Sequence, residues 1–485
     1  MYLGLDLGTS GLRGILVTES WKIVGEATAV IDTQTPNRGW SEQSPMHWIE
    51  ACKDVVVQLR EANRADFASV RSVGLSGHMH GATLLDVDGQ VLRPCIMWND
   101  TRAHREAQIL DQEPQMREIT GNIVFPGFTA PKLEWVRLNE PDVHSKIAKV
   151  LLPKDYLRFW LTGEYLSEMS DSSGTSWLNV GKRCWSDTAL TLSGADVQQM
   201  PRLIEGSEVG GEIRTELLQE WGVTGPVFVA GGAGDNAAVA CGVGCVNEGD
   251  GLLSLGTSGV LLVAKETYVP APQSALHCFC HALPNRWLQM GVILSATNCL
   301  NWLSRNLGKS VDSLMTALPD NLDGPTGITF LPYLSGERTP HNDSNIRAAF
   351  VCLDVSSNSI DLTRSVIECV AYAMRDCMET LRITDTEIVH LFATGGGAQS
   401  RYWLEILATV LGRPLSLPEG SYFGAAMGAA RLAGRAVSAA HSDDVFAFPN
   451  VIDQIDPRID LIDHYEDGFQ RFRQSYRALA PLADH

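Results

Sequence analysis

The sequence predicts an α/β fold built twice over, with a ligand cleft between the two copies. Two observations carry this prediction. The turn Leu7-Gly8-Thr9-Ser10-Gly11 returns as Leu255-Gly256-Thr257-Ser258-Gly259, each time between two short apolar stretches. After each of these hairpins, strand-like runs alternate with amphipathic helical runs, the pattern of an α/β domain. At 485 residues the chain exceeds one ordinary hydrophobic core and has the length of two large domains.

Taken in order, residues 2–7 and 12–17 are the strands of the first hairpin, and Ile23–Val30 is a third strand. Residues 46–62 place Trp48, Cys52, Val55, Val56 and Leu59 at helical spacing. The strand Val70–Leu75 leads into the loop Ser76-Gly77-His78-Met79-His80-Gly81, and Ala82–Asp86 and Pro94–Trp98 are further strands. Residues 101–220 are mixed and loop-rich, and read as an insertion that caps the first domain and lines a substrate pocket. Val227–Ala230 is a strand that delivers Asp235, ahead of a small-residue run suited to a close-packed helix. The second half restarts at Leu252. Asp361–Leu381 is a long amphipathic helix, and Leu391–Thr394 a strand entering Gly395-Gly396-Gly397-Ala398. The helix after it stops at Gly412, just before Pro414. Phe423–Gly434, rich in Gly and Ala, is a second close-packing helix. Residues 442–463 read as an acidic surface connection and 464–480 as a terminal helix.

Composition sets the class. Hydrophobic content of 45% and charged content of 20% are ordinary for a soluble globular protein. A formal net charge of −19 argues against nucleic acid or an anionic membrane as the main partner. An anionic ligand would therefore need local positive groups or a metal. The 11 cysteines are odd in number and scattered through apolar runs, the usage of reduced thiols in a cytoplasmic protein. The N-terminus has no basic region and carries Asp6 within its first apolar stretch, which is not a signal peptide. No apolar run approaches the ~18 residues of a membrane span. The expectation is a soluble, cytoplasmic protein.

The chemistry begins at the two turns. Consecutive backbone N–H groups in a Gly-Thr-Ser-Gly turn, with two hydroxyls, form a concave donor surface suited to phosphate oxygens. Glycine lets the backbone approach the ligand closely. One such turn is a weak signal, since many hairpins use Gly and Ser. Two of them, each opening a half, point to ATP between the halves. The dinucleotide pattern G-x-G-x-x-G is absent. The nearest approach to G-x-x-x-x-G-K-[ST] is Leu303–Ser310, where Leu303 replaces the first glycine, so Gly308-Lys309-Ser310 reads as an ordinary turn.

Asp6 occupies a strand otherwise filled by apolar residues, and a buried unpaired carboxylate is costly. It either faces Mg²⁺ or its bound waters, or pairs with a neighbouring Lys or Arg. Its counterpart in the second half is Ser254, so the metal belongs with the first turn. Asp235 can cap a helix starting at Asn236. The same placement keeps a carboxylate ionised and oriented, as needed to accept a proton from a sugar hydroxyl during phosphoryl transfer. Neither His78 with His80 nor His277-Cys278-Phe279-Cys280-His281 has the spacing of a zinc site. The first pair lies in a Gly-flanked loop suited to a polyol, and the second reads as a core strand.

These residues resemble the FGGY carbohydrate kinases, within the actin-like (ribonuclease-H-like) ATPase superfamily, over essentially the whole chain. The matching stretches include GLDLGTSG, WSEQSP, GLSGHMHGATLLD, GNIVFPGFTAPKLEWV, GGAGDNAA, LSLGTSGV, FLPYLSGERTPH and ATGGGAQSRYW. Within the family they are most similar to the pentulose kinases. The resemblance implies two actin-like ATPase domains, 1–245 and 246–485, closing a central cleft on ATP and sugar. It implies ATP- and Mg²⁺-dependent phosphorylation of D-xylulose to D-xylulose 5-phosphate. Asp235 would be the general base toward O5, and Asp6 would hold Mg²⁺ through water. Met79 and His80 would contact the sugar, with Asn236 beside it. Gly8, Thr9 and Ser10 and Gly256, Thr257 and Ser258 would hold phosphates, and Gly395, Gly396, Gly397 and Ala398 would lie along the adenosine. A homodimer is compatible with the family, although no residue pattern specifies one. Two alternatives remain: another ketose or polyol as acceptor, such as ribulose or glycerol, or a non-catalytic actin-like ATP switch.

Three positions depart from the family pattern. Leu138 stands where a polar residue is usual and Cys352 where a glycine is usual; both are expected to be packing changes. His78 replaces a glutamine, a change expected at the sugar site.

Overall fold

The computed structural model describes residues 1–420, 424–438 and 443–483. Its first sheet is built from β1 (Tyr2–Gly8), β2 (Gly11–Val17), β3 (Ile23–Val30), β4 (Ser72–Gly77), β5 (Val209–Glu212), β6 (Phe228–Ala230) and β7 (Ala233–Gly234). The strand order is β5-β6-β4-β1-β2-β3, with β7 also paired to β4. The β1–β2–β3 meander is antiparallel, whereas β4 joins β1, and β6 and β7 join β4, in parallel. Four helices matter here: α1 (Pro45–Ala62), α2 (Thr129–Asn139), α3 (Pro153–Thr162) and α4 (Asp235–Val243).

The second sheet comprises β8 (Asp250–Leu255), β9 (Gly259–Lys265), β10 (His277–Cys280), β11 (Trp287–Ile293), β12 (His390–Thr394), β13 (Leu415–Pro418) and β14 (Val451–Ile455). Its order is β10-β11-β9-β8-β12-β13-β14. The β8–β9–β11 meander is again antiparallel and β12 joins β8 in parallel, so the topology around each hairpin is repeated. The helices of this half are α5 (Thr297–Leu307), α6 (Ser359–Arg382), α7 (Arg401–Leu411), α8 (Gly424–Val437) and α9 (Ile462–Leu479).

Each half has its own core. Leu3, Leu5, Leu7 and Leu12 pack with Trp48, Val55 and Leu59 of α1 in the first. Leu253, Leu255, Leu261 and Val263 pack with Val366, Val370, Met374 and Cys377 of α6 in the second. A third cluster joins the halves: Ala237, Ala238 and Cys241 of α4 meet Leu252 and Leu262, and Met79, Phe125 and Phe128 meet Phe279.

Helix α8 follows β13 in the chain yet lies against the first half. The Ser72 hydroxyl donates to the carbonyl of Ala433 at 2.8 Å. A Cβ on Gly4 of β1 would stand 2.0 Å from the carbonyl oxygen of Ala426, and one on Gly428 would stand 1.8 Å from that of Ala238 on α4. Only glycine permits these backbone approaches, and they make the α4–α8 crossing the joint between the halves.

Some expectations need correction. Residues 101–220 are not a single insertion. Tyr156, Leu157 and Leu161 of α3 belong to the first core, and β5 is a strand of the first sheet. The segment is also richer in helix than expected. The rest of it seals the outer edge of β10, where Asn122 exchanges hydrogen bonds with the Cys278 amide (3.0 Å) and carbonyl (2.9 Å), and Ser173 accepts from the Cys280 amide at 2.9 Å. The acidic stretch 442–463 contains β14, an edge strand, because Val451, Asp453, Gln454 and Ile455 pair along β13, with Ile452 left at a register shift. Phe423 and Ser442, which begin two predicted segments, lie outside the described residues. Leu138 and Cys352 are exposed, so neither is a packing change. Cys352 has φ +67°, the left-handed region that favours glycine. Gly308 (φ +62°) closes α5 and the Ser310 hydroxyl caps the next short helix, so that segment is the ordinary turn expected.

Candidate active site

Strand register assembles the acidic pair. Asp6 on β1 lies opposite Ser76 on β4, and Ser76 lies opposite Ala233 on β7, so the three form a row across adjacent strands. Two residues after Ala233, α4 begins at Asp235. Gly234 is its N-cap and Asp235 its first helical residue, one position later than the cap expected from sequence. Oδ1 of Asp235 accepts hydrogen bonds from the backbone N–H of Asn236 at 2.7 Å and from its Nδ2 at 2.8 Å. Asn236 therefore orients the carboxylate. The Gly234 amide donates to the Ser170 hydroxyl at 3.1 Å, which anchors the turn to the cap.

The electrostatics separate Asp235 from an ordinary surface acid. Burial, with the charge of Asp6, pushes its pKa up to about 6, against the opposing hydrogen bonds from Asn236. Burial also raises the pKa of Asp6, offset in part by Ser76 and Arg13. Asp6 forms no ion pair among the described residues, and it is the one charged residue in the otherwise apolar core of β1. It offers a hard carboxylate ligand of the kind that shares Mg²⁺ with substrate phosphates.

Met79 packs directly on the turn before Asp235: a Cβ on Gly234 would meet its Cγ at 2.9 Å. His80 follows with φ +70°. Its Nδ1 lies 2.7 Å from the Gly174 carbonyl, and its ring stacks on Phe128 with centroids 4.5 Å apart. Burial drives its pKa down to about 3, so the ring is neutral at working pH. Because a carbonyl only accepts, Nδ1 carries the proton, and Nε2 is left as an acceptor for a hydroxyl.

The two Gly-Thr-Ser-Gly turns are held differently. The first is a two-residue turn between paired Gly8 and Gly11. Gln43 Nε2 donates to the Thr9 carbonyl at 2.6 Å, Trp48 Nε1 fixes Gln43 at 2.9 Å, and Trp98 Nε1 donates to Thr9 Oγ1 at 2.9 Å. The second spans Gly256–Ser258 between paired Leu255 and Gly259. Its carbonyls are taken by the start of α5: Thr297 N and Oγ1 donate to Gly256 at 3.0 and 2.8 Å, and Ala296 N to Thr257 at 2.8 Å. With carbonyls tied back, amides and hydroxyls are what each turn offers a phosphate. Gly395 (φ +91°) and Gly397 lie against Leu255, where a Cβ would come within 2.6 and 2.9 Å, so the Gly395–Ala398 segment adjoins the second turn. No hydrogen bond links the two turns to each other among the described residues.

His78 does not behave as expected. Its ring is buried edge-on against Trp48 at 5.8 Å, with both nitrogens unpartnered among the described residues. It supports the Trp48–Gln43 scaffold of the first turn. His277 and Phe279 lie on β10 as a buried strand, as the sequence suggested, and no metal-binding cluster occurs among the described residues.

Sequence reasoning missed the wall opposite His80. Arg338, from the second half, stacks on Phe125 of the first (4.5 Å) and lies 3.3 Å from His277 Nε2. His277 in turn faces Phe125 at 5.3 Å, and Phe279 faces His80 at 6.3 Å. Gln43, Trp98 and Gly174 were missed as well. Their roles depend on contacts between residues far apart in sequence, which carry no local pattern. A cavity of about 530 Å³ lined by Trp21, Val243, Met427, Arg431 and Phe448 lies at the other end of α4 from Asp235 and takes no part in this arrangement.

The model for the FGGY family of carbohydrate kinases, N-terminal domain, matches residues 1–242, and that for the C-terminal domain matches residues 251–437. The xylulose kinase of Escherichia coli (strain K12) is 43% identical over 99% of this chain and all of its own length. The crystal structure of a xyloylose kinase from Brucella ovis superposes with a TM-score of 0.97 at 53% identity, covering 99% of each chain. That of xylulose kinase from Rhodospirillum rubrum gives 0.91 at 28% identity over the whole of both chains.

Proposed function

The chain belongs to the FGGY family of carbohydrate kinases, and from that premise we propose that it transfers the γ-phosphoryl group of ATP to D-xylulose, giving D-xylulose 5-phosphate. Full-length similarity to xylulose kinases supports the substrate. The observation that carries the mechanism is the row Asp6–Ser76–Ala233 with Asp235 two residues beyond it.

In this mechanism Asp235 is the general base. It accepts the proton of the terminal hydroxyl, O5, as that oxygen attacks the γ-phosphorus in line. Its pKa near 6 keeps it ionised at neutral pH, yet makes it a stronger base than a free aspartate. The two hydrogen bonds from Asn236 occupy Oδ1, so Oδ2 is the oxygen left for the proton. Met79 packs at the edge of the sugar site, and His80 Nε2 accepts a hydrogen bond from a sugar hydroxyl, fixing which end of the sugar meets Asp235. The Gly8–Ser10 and Gly256–Ser258 turns donate to phosphate oxygens, and Gly395–Ala398 lies along the adenosine. Asp6 would hold Mg²⁺ through water, and the ion when bound supplies positive charge to the phosphates. No covalent enzyme intermediate is needed. Rotation of the halves about the α4–α8 crossing would exclude water and limit wasteful hydrolysis.

Identification of the product by ³¹P and ¹³C NMR tests the reading. A single phosphomonoester coupled to C5 of D-xylulose is expected. Phosphate on another carbon would reject this orientation of the sugar.

A further inference from the structure

We propose that Lys132 is a positioning residue for the sugar site, holding His80 in its left-handed backbone conformation through the His80 carbonyl. The proposal rests on the reading that His80 contacts the sugar. A non-glycine residue at φ +70° is disfavoured by contact between its Cβ and its own backbone, and it persists where its surroundings over-determine it.

Those surroundings come mainly from one helix end. Phe128, the N-cap of α2, stacks on the His80 ring. Thr129, its first residue, donates from Oγ1 to the His80 carbonyl at 3.1 Å. Lys132, three residues on and so on the same helix face, donates from Nζ to the same carbonyl at 2.9 Å. Gly174 holds the ring from the other side, and a Cβ there would stand 2.3 Å from the imidazole. Relaxing His80 to negative φ would carry its ring off both Phe128 and the Gly174 carbonyl.

Lys132 is an expensive way to fill this space. It is fully buried, with 0% exposure, and forms no ion pair among the described residues. Its hydrogen bond to the His80 carbonyl is the one its side chain makes among the described residues. An apolar side chain of similar volume would avoid the cost of desolvating an amine. Burial brings its pKa down to about 7, and its charge in turn helps keep the His80 ring neutral. The charge that Lys132 retains and the hydrogen bond that it donates together preserve a neutral acceptor in a fixed direction, which is what recognition of a sugar hydroxyl requires.

A double-mutant cycle tests this on the full-length enzyme with Mg·ATP. Lys132→Met removes the donor at similar volume, and His80→Gly removes both the sugar contact and the need for support at positive φ. Lys132→Met is expected to raise KM for D-xylulose tenfold or more in the wild-type background, leave KM for ATP within twofold, and add less than twofold in the His80→Gly background. Equal effects in both backgrounds, or an unchanged sugar KM, would overturn the positioning role. If Lys132→Met does not fold, Thr129→Val removes the other donor to the same carbonyl. It is expected to raise sugar KM about threefold alone and not at all with His80→Gly; additive effects would overturn the proposal. Should His80→Gly alone leave the sugar KM unchanged, the assignment of His80 to the sugar fails, and the positioning role with it.

Discussion

Replacing Asp235 with Asn should abolish the reaction and at the same time stabilise the protein. Asn keeps the shape and the acceptor that Asn236 binds, but it cannot take a proton or carry charge. In the native protein, burial and then Asp6 raise the Asp235 pKa from the ordinary 3.8 to about 6, against the hydrogen bonds from Asn236. The folded state therefore holds the proton more tightly than the unfolded chain. Stability tied to this group is lost as pH rises from about 4 to about 6 and stays lost above that. The rise corresponds to about 3 kcal/mol at pH 8; solvent at this half-buried site trims it to about 1–3 kcal/mol. Roughly half of the effect remains at pH 5. The assay is thermal unfolding of the apo-protein in chelator at pH 8 and pH 5, beside turnover. Asp235→Asn should unfold several degrees higher than wild type at pH 8, with a smaller gain at pH 5, and phosphorylate no sugar. Equal or lower stability at pH 8 would refute the raised pKa. A tenth or more of wild-type turnover would refute the role as base.

Three further outcomes follow from the same contacts. The acidic limb of kcat/KM for D-xylulose should titrate near pH 6, and in Asp6→Asn the residual activity should show a lower limb, because a neighbouring negative charge is gone; an unmoved limb counts against the coupling. Cys352→Gly should stabilise by about 1 kcal/mol, since glycine tolerates the φ of +67° that cysteine resists; chemical denaturation reads this, and no gain would show that the strain is absent. Gly428→Ala should destabilise by about 1–3 kcal/mol or more by forcing α4 and α8 apart, and a neutral effect would mean that the crossing has room the contacts do not show.

What was legible in the sequence was local. Alternating apolar residues around Gly8–Gly11 and Gly256–Gly259 specify hairpins wherever they fold. The 3.6-residue spacing in α1 and α6 marks buried faces without knowledge of the partner. Asp6 and Asp235 stood out because each places charge amid apolar or glycine-rich residues. What stayed hidden depends on the other half of the molecule. Nothing near Gly4, or near Gly74 where a Cβ would stand 1.8 Å from the carbonyl oxygen of Ala429, announces that α8, hundreds of residues later in the chain, needs their missing side chains. The charge on Asp453 masked the edge strand β14, which tolerates it because one face is open to water. His80 was legible as a candidate, but the hold on its carbonyl by Lys132 and Thr129 was not. Its φ is set by tertiary contacts that its own sequence does not specify.

The most direct test of the account is ADP release from Mg·ATP with D-xylulose, D-ribulose, L-ribulose, glycerol and no acceptor measured side by side. Fastest release with D-xylulose, little without acceptor, and none in Asp235→Asn is the predicted result. Equal release with and without every acceptor would contradict it and identify an ATPase that phosphorylates no sugar.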